Sequence, residues 1–293
     1  MTRLTDRSFG VTLLVPAVLL VALLFAYPIG YSIYMGFHNK DIFSTKTAPY
    51  VGMENFRNLM NDETFWNAFK NGLIYAFATV LFHICIGIPI ALLLNIPFVG
   101  RALARGLVML PYVVPAIGAA LIWKWLYNDM LGLVNYLLIL VGLISKPIAW
   151  IGDRKWAMVG VTVVGAWKFF PFVVLCVLAR LQTIPRELYD AARVDGASAF
   201  NRFKDITIPQ LREILFVVIL LRFVWMFNEF EMIWLLTKGG PMETTTTLPV
   251  LAYMLSFVNF DLSLGMAVTV FMLVFLLIMY LIYSKIYRAE GDI

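Results

Sequence analysis

Residues 262–283 read LSLGMAVTVFMLVFLLIMYLIY and contain no charged side chain. An α-helix needs about 20 consecutive, mainly apolar residues to cross the hydrocarbon core of a bilayer, and this stretch is long enough. Comparable apolar blocks recur along the chain, and none alternates apolar with polar residues as the strands of a membrane barrel do. The pattern predicts an all-α integral membrane protein with six transmembrane helices, at 9–35, 68–94, 106–127, 157–181, 211–237 and 262–287.

The composition supports a membrane location. Hydrophobic residues make up 61% of the 293 residues and charged residues 14%, whereas a soluble domain carries about 25% charged residues. The first apolar block exceeds the ~7–15 residue core of a cleaved signal peptide and lacks a small-x-small cleavage site, so we expect a retained anchor. Cys85 and Cys176 are expected to be small, buried apolar side chains, and neither they nor His38 and His83 have metal-ligand spacing.

The distribution of Lys and Arg predicts the orientation of the chain. Cytoplasmic loops of membrane proteins carry an excess of these residues. Arg3 and Arg7 precede the first predicted span, and the longest basic loop lies between the fourth and fifth spans. Both termini and this loop are therefore predicted to be cytoplasmic. The net charge of +5 is explained by this topology, and no run of like charges indicates nucleic-acid binding.

Several features indicate that the spans are not uniform lipid-facing rods. The prolines inside predicted spans are Pro89, Pro111, Pro115 and Pro171. Proline kinks a helix and is tolerated in a membrane where neighbouring helices or a wet cavity satisfy the freed backbone groups. The kinks indicate either the cavity of a transporter or an ordinary packed bundle. Residues 137–141 are too short to cross the membrane and predict a surface or re-entrant helix, with Trp150 and Trp156 near the interface.

The loop at residues 183–209 reads TIPRELYDAARVDGASAFNRFKDITIP and predicts two short helices. Pro185 suits the first turn of one helix and Gly196 suits its carboxyl end. Ser198 can cap the second helix, and Pro209 is expected to end it. Small residues flank Gly196, which would allow another backbone to approach closely. The loop is predicted either to dock on a partner or to rest on its own bundle.

The spacing of Asp190-Ala191-Ala192, Gly196, Ile206 and Ile208-Pro209 resembles the EAA loop of ATP-binding-cassette (ABC) importer permeases. That signature is Glu-Ala-Ala, three residues, Gly, nine residues, Ile-x-Leu-Pro; here Asp190 replaces Glu and Ile208 replaces Leu. The resemblance implies a type I importer bundle, with a single permease domain over 1–293, in a bacterial or archaeal inner membrane. The residues that it implies for coupling to an ATPase are Asp190, Ala191, Ala192, Asp195, Gly196, Ala197, Phe200 and Phe203.

The same resemblance implies how the work of transport is divided. In that family the loop docks on an ATPase subunit, whose ATP-driven closure switches the permease between inward-open and outward-open states. This sequence has no Gly-x-x-x-x-Gly-Lys-Ser/Thr phosphate loop, so the chain is expected not to be an enzyme and to bind no cofactor. ATP would be bound by a separate ATPase subunit.

Other segments resemble the carbohydrate branch of these permeases, in particular the maltose-type first permease. They are residues 50–56, 111–115, 167–172, 227–230 and 235–241. This resemblance implies a heterodimer with a second sugar permease, two ATPase subunits, an extracytoplasmic solute-binding protein and a sugar ligand. The positions that match sugar contacts in that family are Tyr112, Ala116, Gly165, Lys168, Phe169, Phe172, Arg222, Met226 and Glu229. Among these only Tyr112 keeps the expected polar type, which implies a ligand other than maltose.

The residues themselves lead to part of the same site. Lys168, Arg222, Glu229 and Glu231 are ionisable groups inside predicted spans, where such groups are costly and face a cavity or a partner. Trp225 adds an aromatic face on which a sugar could stack. The alternative is structural, with either cation pairing with a glutamate to pin the helices. A neutral sugar is the preferred ligand over an anionic one, because a pair with Glu229 would consume one of the two cations.

The sequence leaves two alternatives to a sugar importer. An ion-coupled secondary carrier for small polar solutes could use Glu229 and Glu231, but it predicts inverted repeats that the sequence does not contain, and it leaves residues 187–209 unexplained. An intramembrane enzyme needs a catalytic constellation. The sequence has no His-Glu-x-x-His and no Gly-x-Ser-x-Gly motif, so this function is disfavoured.

Overall fold

The computed structural model describes residues 6–40 and 48–291, with side chains described for 10–40 and 48–287. Arg3 and Arg7, on which the predicted orientation rests, lie outside the described residues or side chains. The described chain is helical. Its α-helices are α1 Asp6–Val21, α2 Tyr27–Gly36, α3 Glu54–Met60, α4 Glu63–Asn95, α5 Arg101–Val113, α6 Ala116–Leu126, α7 Leu133–Leu140, α8 Ala157–Leu181, α9 Arg186–Val194, α10 Ala199–Arg202, α11 Ile208–Phe227, α12 Glu231–Thr237, α13 Leu248–Tyr253 and α14 Leu262–Gly291. Short π-helical segments at Ala22–Ala26, Phe203–Thr207 and Met254–Val258 join neighbouring helices.

The helices confirm an all-α membrane protein. Within the described residues, four helical stretches are long and apolar enough to cross a bilayer: Gly10–Gly36, Glu63–Asn95, Ala157–Leu181 and Leu262–Tyr287. Taken together, α5 and α6 form a fifth such stretch, which is bent in the middle. The remaining predicted span, 211–237, is divided between α11 and α12. The six predicted segments are therefore all helical, and two of them are interrupted.

The predicted single span at 106–127 is wrong in detail, because α5 and α6 meet at an angle of 94°. Pro115 has no backbone N–H and disfavours the helical conformation in the residue before it. Val114 is accordingly non-helical, with ψ 128°, and Pro115 itself has ψ 143°. Pro111 lies inside α5 without ending it. Pro115 thus interrupts the span, whereas Pro111 is accommodated within α5.

The predicted continuous helix at 211–237 is also interrupted. α11 ends at Phe227, and the Asn228 side chain donates to the Val224 carbonyl at 2.8 Å. The Glu229 carboxylate accepts the backbone N–H of Met232 at 2.9 Å, which satisfies a free amide at the start of α12. These local hydrogen bonds stabilise the end of α11 and the start of α12, whereas the apolar pattern alone predicts one continuous helix.

The structure contains two compact units, the first built from Met1–Phe65 and Leu251–Phe275. In it, the buried Asn55 amide donates to the carbonyls of Gly36 and His38, each at 2.9 Å. The Lys40 backbone N–H donates to the Ser263 hydroxyl at 2.8 Å. Residues Gly10–Gly36 are exposed along most of their length, as expected for a helix whose side chains face lipid or another subunit.

The second unit comprises Trp66–Val250 and Leu276–Ile293 and contains all the predicted ligand and coupling residues. Its core lies between α4, α8 and α11 and includes Ala91, Leu94, Val173, Val174, Val177, Leu181, Leu211 and Val218. A Cβ at Gly87 would lie 2.8 Å from the Val173 side chain. Small residues at such contacts let membrane helices approach closely. Cys176 is half-buried, but Cys85 is exposed on α4, so the expectation that both are buried is wrong for Cys85.

The segment 128–156 forms the predicted short helix as α7. The buried Asn135 side chain holds the chain that follows it. Its amide donates to the Ile148 carbonyl at 3.0 Å, and its oxygen accepts the Ile148 N–H at 3.1 Å and the Trp150 indole N–H at 2.9 Å. Trp150 in turn contacts Trp156, with ring centroids 5.4 Å apart.

Candidate functional site

The loop at 183–209 begins as the sequence predicts. α9 starts directly after Pro185 and ends at Val194, and Gly196 adopts the left-handed conformation with φ +80°. The Gly196 N–H donates to the Arg193 carbonyl at 3.1 Å, and the Ala197 N–H donates to the Ala192 carbonyl at 2.8 Å. These bonds satisfy carbonyls at the carboxyl end of α9. The turn between the two helices thus depends on a glycine.

The second half of the loop agrees in part with the prediction. The Ser198 hydroxyl caps α10 by accepting the Asn201 N–H at 3.2 Å. Pro209, however, does not end this helix; it lies in the first turn of α11. The π-helical segment Phe203–Thr207 widens the turn just before it, which accommodates a residue that cannot donate a backbone hydrogen bond. The coupling loop therefore continues directly into α11.

The predicted coupling residues form an accessible surface. Asp190, Ala191, Asp195, Gly196 and Phe200 are exposed, and Ala192, Ala197 and Phe203 are half-buried. Phe200 is 70% exposed and the neighbouring Val194 is 87% exposed. Exposed apolar side chains beside small residues are typical of a protein–protein contact. Their role in coupling stays a prediction.

Lys168 lies where α5 and α6 separate. Its ammonium group donates to the Val114 carbonyl at 2.6 Å and lies 5.5 Å from the centroid of the Phe169 ring. The side chain is buried. The carbonyls at the end of α5 have no partner within that helix, and Lys168 satisfies one of them. The hydrogen bond ties α8 to the break in the third span.

Arg222 is a buried cation enclosed by aromatic rings. The residue is 1% exposed, and its guanidinium carbon lies 5.1, 5.6 and 5.4 Å from the ring centroids of Phe169, Phe172 and Trp225. Its one hydrogen bond within the described chain runs to the Met226 sulfur at 3.5 Å, a weak acceptor. Its Nε atom has no partner among the described residues. Most of the hydrogen-bonding capacity of this cation is unused.

The expected pairing of Arg222 or Lys168 with a glutamate is not formed. Among the described side chains, the ion pair within 4.0 Å is Arg193–Asp190, on the loop. The Glu229 carboxylate is engaged by the backbone of Met232, and Glu231 is exposed. The direct ion pair of Glu229 with one cation, which the sequence interpretation assumes, is therefore absent from the described side chains.

Some aromatic and small residues of the predicted site are exposed at its surface, and others are packed between helices. Tyr112 and Trp225 are partly exposed and contact Phe169 and Phe172, with ring centroids 6.4 and 5.1 Å apart respectively. Ala116, at the first turn of α6, is half-buried. Gly165 is buried and faces α4, where an added Cβ would collide with the Tyr75 hydroxyl.

Two polar residues of α4 join this region and are missing from the sequence-based site. The Tyr75 hydroxyl and the His83 Nδ1 atom are buried without a partner in the part of the chain that the structure describes. His83 Nε2 lies 3.3 Å from the Gly165 carbonyl. Tyr75, Thr79 and His83 recur at i, i+4 and i+8 and so share a helix face. The spacing of these polar residues is visible in the sequence and could have indicated a polar face on this otherwise apolar helix.

Comparisons with known proteins are consistent with this architecture. Residues 83–289 match the family described as binding-protein-dependent transport system inner membrane component. The trehalose/maltose transport system permease protein of Thermococcus litoralis is 32% identical over 98% of this chain and 96% of its own length. The sulfoquinovosyl glycerol transport system permease protein of Agrobacterium fabrum is 33% identical over 98% of this chain and 92% of its own length.

The fold has also been seen in a solved structure. A bacterial ABC transporter involved in import of the acidic polysaccharide alginate contains a chain that superposes with a TM-score of 0.82 at 23% identity, covering 96% of this chain and 95% of that one. This likeness concerns the fold, whereas the family match spans α4 to α14, including the loop and the buried cations. The chain belongs to the family of inner membrane components of binding-protein-dependent transport systems.

Proposed function

We propose that this chain is the permease subunit of an ATP-driven importer for a sugar or sugar derivative. One observation carries the proposal: nearly the whole chain is similar to permeases named for trehalose/maltose and for sulfoquinovosyl glycerol transport. The helix–glycine–helix loop at 183–209 supports the ATP-driven mechanism, because it offers small and apolar residues for a partner to contact. The ion-coupled carrier has no comparable support.

The chain would work with other subunits. ATP would be bound and hydrolysed by two ATPase subunits at the loop, and closure of the ATPase pair would push on α9. Because α10 runs through the π-helical segment into α11, a displacement of the loop would reach Arg222 along one helical path. A second permease would complete the pathway, and an extracytoplasmic binding protein would deliver the ligand. In this proposed arrangement the loop and both termini would be cytoplasmic.

The ligand would be held where Arg222, Trp225, Tyr112, Phe169 and Phe172 converge. Aromatic rings offer faces for sugar C–H groups, and Arg222 offers hydrogen-bond donors that no carboxylate of the described chain occupies. A buried cation that no carboxylate contacts directly is costly in a membrane, so an acidic group on the ligand that binds Arg222 would lower that cost. This observation favours an anionic sugar derivative as a second candidate beside the neutral sugar expected from the sequence.

Reconstitution tests the proposal. The chain is co-expressed with the permease, ATPase and binding-protein genes of its own system, purified and placed in liposomes. We expect uptake of a sugar to require both ATP inside the liposomes and binding protein outside. Uptake driven by an ion gradient without ATP would instead establish the carrier mechanism and refute the importer.

A further inference from the structure

An arginine-lined cavity of about 830 Å³ lies at the end of the second unit that carries the coupling loop. Its walls come from the end of α4 and the loop that follows it, the first turns of α5, the end of α8 with the residues after it, and one face of α9. Four arginines line it, Arg101, Arg105, Arg186 and Arg193, against the single carboxylate of Asp190. The cavity is therefore strongly cationic.

The internal contacts leave much of this positive charge uncompensated. Arg193 pairs with Asp190 at 3.0 Å, which consumes the carboxylate. Arg101 and Arg105 both donate to the Leu94 carbonyl, at 2.7 and 3.3 Å, and that acceptor is neutral. The Nε atom of Arg105 is buried without a partner in the described structure.

Arg186 completes the cationic wall. Its side chain makes no hydrogen bond or ion pair within the part of the chain that the structure describes. The cavity thus presents three cations without a counter-charge, one of them with an orphaned buried donor. Such a group of cations offers unused hydrogen-bond donors to an anion.

The surroundings of the cavity indicate an anion that belongs to a membrane. The loop between α4 and α5 exposes Ile96, Phe98 and Val99 beside the cavity, and the ends of the apolar helices α4 and α8 contribute Asn95 and Leu181 to its wall. An apolar loop at the end of membrane-crossing helices lies at the depth of lipid headgroups. A free solute would not need this apolar rim, whereas acyl chains would contact it.

The cavity is separate from most of the predicted coupling surface. Arg186, Tyr189, Asp190 and Arg193 face the cavity from α9, at the i, i+3, i+4 and i+7 positions of one helix face. The small residues Ala191 and Ala192 and the exposed Val194 lie around the remainder of the helix. Asp190 is the one residue shared by the two surfaces. A partner on the coupling surface could therefore leave the cavity open to the bilayer.

We propose that this cavity binds the phosphate group of an anionic phospholipid. Guanidinium groups bind phosphate oxygens through charge-assisted, frequently bidentate hydrogen bonds, and basic pockets between membrane helices bind anionic headgroups. The lipid would contact the coupling helix through Arg186 and Arg193 and so hold α9 against the bundle. The inference rests on the chain crossing a membrane and is independent of which ligand is transported.

Native mass spectrometry of the assembled transporter tests the site. The purified complex is titrated in detergent with phosphatidylglycerol and, separately, with phosphatidylcholine. We expect phosphatidylglycerol to be retained preferentially and Arg186→Gln to weaken its retention about fivefold, since one Arg near a membrane surface contributes about 1 kcal/mol of attraction to anionic lipid. Lys204→Gln, which removes one exposed charge from the same loop outside the cavity, is expected to leave retention unchanged.

Four outcomes would overturn the proposal. Equal retention of the two lipids would refute a site for an anionic group, and so would unchanged binding in both Arg186→Gln and a second variant, Arg105→Gln. Displacement of the lipid by an equal concentration of inorganic phosphate would assign the site to a soluble phosphate instead. Binding only after removal of the ATPase subunits would mean that an ATPase surface, and not a lipid, fills the cavity.

Discussion

At the scale of single residues, the two intramembrane cations have different environments. Lys168 donates to the Val114 carbonyl at 2.6 Å and so has a structural partner. Arg222 has a thioether acceptor and three aromatic rings. Cation–π contacts contribute about 0.5–2 kcal/mol each, which offsets only part of the cost of burying a charge. Arg222 is therefore the residue whose environment a ligand would change most.

Arg222→Gln separates the two classes of ligand. Glutamine keeps donors for hydroxyl groups but removes the charge, so uptake of a neutral sugar should fall a few-fold. Hydrogen bonds to charged groups contribute about 1.5–3 kcal/mol, so uptake of an anionic derivative should fall more than tenfold. Initial uptake rates in proteoliposomes measure both. Lys124→Gln, an exposed position of α6, is the control, and normal uptake by Arg222→Gln would mean that Arg222 is structural.

At the scale of helices, close packing and turn geometry each depend on a glycine. Gly165 brings α8 against Tyr75 of α4, and Gly196 makes the turn of the coupling loop. The two positions differ in their surroundings. A Cβ atom added at Gly165 would meet Tyr75, whereas a Cβ atom added at Gly196 would meet no atom within 4 Å. Substitution should consequently affect stability at the first position and partner binding at the second.

Gly165→Ala should destabilise the bundle, because the new methyl group would collide with the Tyr75 hydroxyl. Overpacking of this kind costs about 1–3 kcal/mol. We expect a lower thermal unfolding midpoint in detergent and a partial recovery in the Gly165→Ala/Tyr75→Phe double variant, which lacks the hydroxyl. Gly118→Ala, whose methyl group would make an ordinary contact at 3.7 Å with Val114, is the matched control. Unchanged stability together with weakened ligand binding would instead make Gly165 a ligand contact.

Gly196→Leu should uncouple the transporter. A left-handed backbone costs a non-glycine residue about 1–2 kcal/mol, and the open space around the glycine is where the ATPase is proposed to dock. We expect normal expression, but loss of both transport and ligand-stimulated ATP hydrolysis. Gly142→Leu is a matched control, because Gly142 also has a positive φ, +74°, and open surroundings but lies in another loop. Wild-type activity in Gly196→Leu would refute this role for the turn.

At the scale of the whole molecule, the described chain leaves apolar surface uncovered and a buried cation without a carboxylate partner of its own. Residues Gly10–Gly36 bury almost none of their apolar surface within the chain, and Arg222 has no carboxylate within 4.0 Å among the described side chains. The exposed side chains of Tyr112 and Trp225 lie beside that cation. Surfaces of this kind fit a translocation pathway that a second permease completes.

The transporter should therefore contain two different permeases. When the chain is affinity-purified from cells that express its complete transport system, we expect a second permease and two ATPase subunits to copurify, because one chain supplies only part of the pathway. The mass of the intact complex and the identity of each band measure the composition. A complex whose membrane part consisted only of copies of this chain would contradict the expectation.

The features that depend on local patterns can be predicted from the amino-acid sequence alone. Apolar length gives the membrane-crossing helices, and the spacing from Asp190 to Pro209 identifies the loop and its family. The glycine turn and the Ser198 cap follow from hydrogen bonds between near neighbours. Such features need no knowledge of distant residues, because periodicity and capping act within a few residues.

The partners of the buried polar groups, in contrast, depend on how the helices break and pack. The partner of Lys168 is a carbonyl 54 residues away, freed because Pro115 breaks the third span. Glu229 follows Arg222 by seven residues, which would put both on one face of a continuous helix. Because α11 ends at Phe227, Glu229 instead lies just before the start of α12, where its carboxylate accepts the Met232 N–H. Tyr75 and His83 meet Gly165 through the packing of α4 on α8. An intramembrane charge or hydroxyl bonds to whichever group the fold brings near it. The sequence contains several possible partners for each such group, and the helix breaks and interhelical packing determine which of them is in contact.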